Sequence, residues 1–162
     1  MKKLLATFVG ASLVSILAAC SGGGGAAGGP TIPDTPEGRA FEFRSAVMKA
    51  IYWKMAQIGG MADGDIPVDA DAFREHARDL AALAGMVTDG FIPNSAIPGS
   101  AALPEIWTNM ADFEAKSRDF ENAATALANA AEQNGFEAAK GLVQPVRGTC
   151  GGCHRPYRRR AE

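Results

Sequence analysis

Two cysteines and a histidine stand close together near the end of the chain, Cys150, Cys153 and His154, within the stretch CGGCHRPYR. On a helix, residues at i and i+3 project from one face, so both thiols can reach the two vinyl groups of a single porphyrin. His154 follows at once, and its imidazole can turn beneath the ring and bind iron as a proximal ligand. Cys-x-x-Cys-His is the attachment signal of a c-type haem. The cofactor this pattern predicts is one haem c, held covalently.

Two other chemistries compete for the same residues. A redox disulfide of the thioredoxin kind needs a neighbouring βαβ unit, and the sequence offers no convincing strand. A structural zinc site needs four ligands, and only Cys150, Cys153 and His154 cluster here. The remaining histidine, His76, is distant and reads as a flank residue at the surface.

The remaining cysteine, Cys20, belongs to a different signal. Lys2 and Lys3 form a positive region, Leu4 to Leu17 an apolar one, and Leu-Ala-Ala-Cys closes it with small residues. That ending resembles a bacterial lipobox, which implies cleavage before Cys20 and lipidation of it. The expected organisation is a signal peptide at 1–19, a lipidated Cys20 with its tether at 20–33, and a folded domain at 34–160. From Ser21 to Pro33 the chain reads SGGGGAAGGPTIP, a flexible tether spanning about 20 Å. The expected location is therefore the periplasmic side of a membrane, with the domain anchored by lipid.

Removing residues 1–19 takes Lys2 and Lys3 from the 16 basic residues, leaving 14 against 18 acidic ones. A mildly acidic chain argues against nucleic acid as a partner.

Four amphipathic segments must position the motif. The first opens with Thr35 as cap and Pro36 at its first position. Its inward stripe combines Phe41, Met48 and Met55 with Arg44, Ile51 and Ile58. Arg44 is the anomaly, because an arginine on a core stripe needs an anionic partner or must snorkel at the bundle's edge. The second segment runs from about Asp69 or Asp71 to Val87 on the stripe Phe73, Ala77, Leu80, Ala84, Val87. A connection from Thr88 to Leu103, with Pro93, Pro98 and Gly99, crosses one end.

The third segment starts at Pro104 and continues to about Gln133, with Ile106, Met110, Phe113, Ser117, Phe120, Ala124, Leu127 and Ala131 inward. Asn134-Gly135 is the turn that makes the fourth segment its antiparallel neighbour. The fourth carries Phe136, Ala139, Val143, Val146, Cys150, Cys153 and Tyr157 on one stripe, so the cysteines face the core. Pro145 is expected to kink or restart this helix, and Pro156 to make the turn after His154 irregular.

Four such helices with Cys-x-x-Cys-His near the end of the last resemble the cytochrome c-prime family. The matching pieces are Phe-Arg-Ser-Ala-Val-Met at 43–48, Ala-Leu-Pro-Glu-Ile-Trp at 102–107 and Cys-x-x-Cys-His-x-x-Tyr-Arg at 150–158. The resemblance implies an all-α fold, an antiparallel left-handed four-helix bundle enclosing the haem. It also implies that Arg44 lies near the haem propionates and that Arg158 lines the proximal side. In a low-spin branch resembling cytochrome c-556, the residue four after the first-helix arginine is a methionine that closes the sixth coordination position. Here that residue is Met48. Met55 and Met61 are poorer candidates, and Met48 as simple core filling is the competing reading.

An iron closed by His154 and Met48 points to single-electron transfer with redox partner proteins, because methionine ligation raises the reduction potential. The alternative is a five-coordinate haem protein that binds nitric oxide or carbon monoxide. A haem enzyme such as a peroxidase lacks an evident distal acid–base pair, so the expectation is not an enzyme. Tyr52 and Trp53, off the stripe, could form a homodimer or docking face.

Overall fold

The computed structural model describes residues 31–160. The expected signal peptide, Cys20 and most of the expected tether lie outside the described residues. The helices are α1 (Pro36–Asp63), α2 (Ala70–Ala84), α3 (Glu105–Thr108), α4 (Met110–Ala139) and α5 (Val143–Tyr157), with a 3-10 turn at Lys140–Leu142 before the last. The four long helices form the bundle, and no strand occurs among the described residues.

Local chemistry sets the helix starts. The Thr35 hydroxyl accepts from the Gly38 amide at 3.2 Å, with Pro36 inside the first turn. The Asp69 carboxylate accepts from the Ala72 amide at 3.0 Å. α1 ends at Gly64, whose φ of 81° suits a residue without a Cβ.

Chain order dictates the packing. α2 lies against both α1 and α4, and α4 against α5, whereas α1 and α5 meet over only a few residues. The core runs through the first three contacts, with Phe73, Ala77, Leu80, Ala124 and Leu127 wholly inaccessible. Phe73 meets Phe136 edge-on at 5.0 Å between centroids, a favoured aromatic geometry.

Two boundaries differ from the sequence expectation. α2 stops at Ala84 and a run of turns follows, although Val87 remains buried. The physical reason lies at Gly90, where an added Cβ would come within 2.7 Å of the Arg44 Cβ. The chain must leave the helix axis to make that approach to α1. The third segment is broken at Asn109 (φ −125°, ψ 41°) into α3 and α4. α3 is pinned away from the α4 axis: Leu103 N–H donates to the Tyr157 carbonyl at 3.0 Å, and Trp107 Nε1–H to the Ile92 carbonyl at 2.8 Å.

Pro156 leaves α5 intact, and the helix continues to Tyr157. Arg158 then turns extended and pairs with Ala102 in an isolated antiparallel bridge. Pro145 sits in the first turn of α5, where a proline is tolerated, so the helix restarts there after the 3-10 turn. Gly135, with φ 76° and ψ −176°, makes the reversal between the third and fourth segments.

Candidate haem site

The thin contact between α1 and α5 is where the motif lies. Cys150 and Cys153 are half-buried on α5, and neither is in a disulfide. They line a narrow slot of about 40 Å³ together with His154 and Thr149 of α5, Met48 and Ile51 of α1, Lys116, Ser117 and Phe120 of α4, and Val87. His154 and Met48, more than a hundred residues apart, thus share one lining. Of the three methionines weighed in the sequence, only Met48 is part of it.

The α1 stripe resolves into two rows. Arg44, Val47, Ile51 and Ile58 are buried, whereas Phe41, Met48 and Met55 are only partly so. Of the partly buried row, Met48 lines the slot opposite α5.

Beside the slot, a wider groove of about 310 Å³ runs between α4 and α5, lined by Lys116, Asp119, Pro145, Gly148, Thr149 and Gly152. The two spaces share Lys116 and Thr149. Beyond the adjoining backbone of α5 itself, nothing lies within 4 Å of where a Cβ would stand on Gly148 or Gly152. These residues fit a flat, covalently bound tetrapyrrole: two adjacent thiols, an imidazole, apolar walls, and an unobstructed backbone ledge.

The thiols are poorly suited to thiolate chemistry. Burial pushes the Cys150 thiol up, and burial pushes Cys153 up to about 11. Reactive redox cysteines show the opposite shift. Burial, and then the charge of Arg158, hold His154 below its ordinary pKa. A neutral imidazole keeps the lone pair a metal needs.

Three polar groups tie together the elements that line the slot. Asp63 of α1 accepts two bonds from Arg147 of α5, at 3.1 and 2.6 Å. A Cβ on Gly59 would stand 2.2 Å from that guanidinium, so glycine makes room for the clamp. Between α5 and α4, the Tyr157 hydroxyl donates to Asp112 at 2.5 Å. This bond raises Tyr157 to about 12 and lowers Asp112.

Arg44 is the third. Its side chain is 5% exposed, so it does not snorkel at the edge. The guanidinium donates to the carbonyls of Gly90 and Ser95 and to the hydroxyl of Ser100. It also lies 5.2 Å from the Phe41 ring centroid and 5.3 Å from that of Phe91. The acceptors seen are neutral loop atoms rather than an anion. Five N–H donors are available on a guanidinium, and these bonds use three.

His76, read from sequence as a surface flank, is half-buried and stands 3.3 Å from Lys54 Nζ. Sequence reasoning missed Lys116, Thr149, Phe120 and Val87 as slot residues. None carries a motif, and only the packing of three helices and a turn brings them to the cysteines.

A profile of the Cytochrome C' family matches residues 39–158. The chain belongs to the cytochrome c′ family. It is 32% identical over 126 residues to cytochrome c-554 of Cereibacter sphaeroides, covering 75% of this chain and 94% of that one. It is 35% identical over 119 residues to cytochrome c-556 of Agrobacterium tumefaciens, covering 72% and 94%. Among solved structures, cytochrome c prime from Shewanella frigidimarina superposes with a TM-score of 0.73 at 33% identity, covering 79% of this chain and 99% of that one. This cytochrome is therefore a helical bundle that carries covalently attached haem c.

Proposed function

We propose that this cytochrome is an exported carrier of single electrons whose iron is closed on both sides by protein ligands. In this reading Cys150 and Cys153 form the thioethers, His154 is the proximal ligand and Met48 the distal one. The observation that carries it is the shared slot: Met48 and His154 line one narrow space from facing helices. Bound haem supplies one-electron exchange at iron.

The chain's own residues do the rest. Half-burial of the thiols keeps the attachment turn against the core. Ile51, Val87 and Phe120 exclude water from the slot, which limits solvent reorganisation when charge changes. Arg44 sits one helical turn before Met48 on α1 and holds the loop at 90–100 over that turn. In the same reading its two remaining N–H groups would meet a haem carboxylate, and Arg158 would support the proximal side.

Optical spectra of the purified protein test the reading. The ferric form should be low-spin, with the weak far-red sulfur-to-iron band of His/Met haems, and should bind little carbon monoxide. Met48→Leu should turn the iron high-spin and gas-binding. A wild type that is already high-spin and binds nitric oxide or carbon monoxide avidly would make Met48 packing alone and assign the protein to gas binding. Denatured protein should keep its colour, and Cys150→Ser with Cys153→Ser should lose it.

The location belongs to the same proposal. A native N-terminus at Cys20 carrying lipid mass supports an anchored protein on the periplasmic side of a membrane. A mature N-terminus elsewhere removes the anchor. Tyr52 and Trp53, 77% and 59% exposed, supply a face for self-association that sedimentation would reveal.

A further inference from the structure

The charge of this molecule is unevenly distributed. Residues 31–154 hold ten basic and seventeen acidic side chains, yet Arg155, Arg158, Arg159 and Arg160 put four positive charges into the next six positions. All four arginines are exposed. Elsewhere Arg39, Arg74, Arg118 and Arg147 each meet a carboxylate; among the described residues Arg78 does not, and neither does any of the four clustered at 155–160.

Their position is fixed. The Arg159 amide donates to the Ala101 carbonyl at 2.8 Å and Arg158 pairs with Ala102, so the segment is tied to the bundle. The Arg155 guanidinium lies 3.6 Å from where a Gly151 Cβ would stand, over the turn between the two cysteines. Favourable alignment with the α5 dipole accounts for one or two cations at a helix end. It does not account for four unpaired ones on a chain that is otherwise acidic.

We infer that Arg155, Arg158, Arg159 and Arg160 form a docking face for an acidic patch on a redox partner protein, placed where the haem attachment turn meets solvent. The inference rests on the electron-carrier reading. Complementary charge raises encounter rates and orients the partner. An attractive basic face against a repulsive acidic body would turn the haem edge, rather than another side, toward the partner. Each encounter moves one electron from the reduced protein to an oxidant, and no bond is made or broken.

The test compares oxidation of the reduced full-length protein by two small reagents of opposite charge. These are hexacyanoferrate(III), an anion, and tris(phenanthroline)cobalt(III), a cation. The wild type should react with the anion at a rate that falls steeply with added salt. The triple variant R155Q/R159Q/R160Q should lose about tenfold of that rate at low salt, with an unchanged spectrum and an undiminished rate toward the cation. The variant R155K/R159K/R160K, which keeps the charges, should react like wild type.

Equal wild-type rates toward both reagents, indifferent to salt, would overturn the docking face while leaving the carrier intact. Negligible rates toward both would overturn the carrier reading, and the docking face with it. A third outcome assigns the patch to lipid and overturns the proposal. In that case arginine-dependent preference for phosphatidylglycerol over phosphatidylcholine vesicles would appear, with no charge discrimination between the reagents.

Discussion

Between α2 and α4 the bundle is closed: Phe73, Ala77, Leu80, Ala124 and Leu127 are wholly buried, and the helices touch along their length. Between α1 and α5 it is open. There Met48, Cys150 and Cys153 are only partly covered, and Lys116 reaches in from α4. The first edge is packed from apolar side chains, with the Arg74–Glu132 ion pair across it, and supplies stability. The second is held by the Asp63–Arg147 clamp and leaves a slot for a cofactor. The two edges divide the work, so damage to one should be readable separately from damage to the other.

Phe73→Ala strikes the closed edge and should have the largest effect on folding, a loss of about 3–5 kcal/mol in urea denaturation. The haem spectrum should stay that of wild type, since the slot does not include Phe73. A change in spin state in this variant would mean that the edges are not separable.

Arg44→Leu comes next and tests the join between them. It leaves two buried carbonyls and the Ser100 hydroxyl without their donor, at a cost of about 2–3 kcal/mol. Because the loop also brings Val87 to the slot, the far-red sulfur band should weaken as well. Arg44→Lys keeps the charge but lacks the fork that spans three acceptors, so its loss should be intermediate.

Asp63→Asn should have a smaller effect, lowering the melting temperature by about 3 °C near neutral pH. Its pH dependence is the sharper readout. The hydrogen bond from Arg147 holds Asp63 below its ordinary value, so its contribution is complete above the unfolded carboxylate pKa of about 3.9. It disappears as pH falls from there through the lower folded value. In Asp63→Asn that part of the acid sensitivity should be missing.

Met48→Leu should also have only a small effect on stability, within about 1.5 kcal/mol, since the swap nearly conserves volume. With Met48 as the proposed ligand, it should nonetheless change the spin state of the iron completely. A large stability loss with an unchanged spectrum would reverse the roles assigned to the two edges.

Much of this was legible in sequence because it is local. Thr35 and Asp69 cap the residues that follow them, and the stripe from Phe73 to Val87 is buried throughout as its spacing requires. Cys150, Cys153 and His154 carry their chemistry in their spacing alone. The stripe also gave the right helix face to Val47's neighbours on α1. It placed both rows inward and did not rank Arg44, Ile51 and Ile58 as more buried than Phe41, Met48 and Met55, because both rows have the same period.

Tertiary structure decided what depends on distant partners. Arg44 announced itself as an anomaly, but its acceptors lie 46 to 56 residues away in a loop whose path no periodicity describes. The break at Asn109 follows from the pull of Tyr157 and Ile92 on Leu103 and Trp107, not from helix propensity nearby. The slot itself has no counterpart in sequence, since its walls come from three helices and the turn at Val87. Motifs state what a residue can bind; only packing states which residues face each other across the space where binding happens.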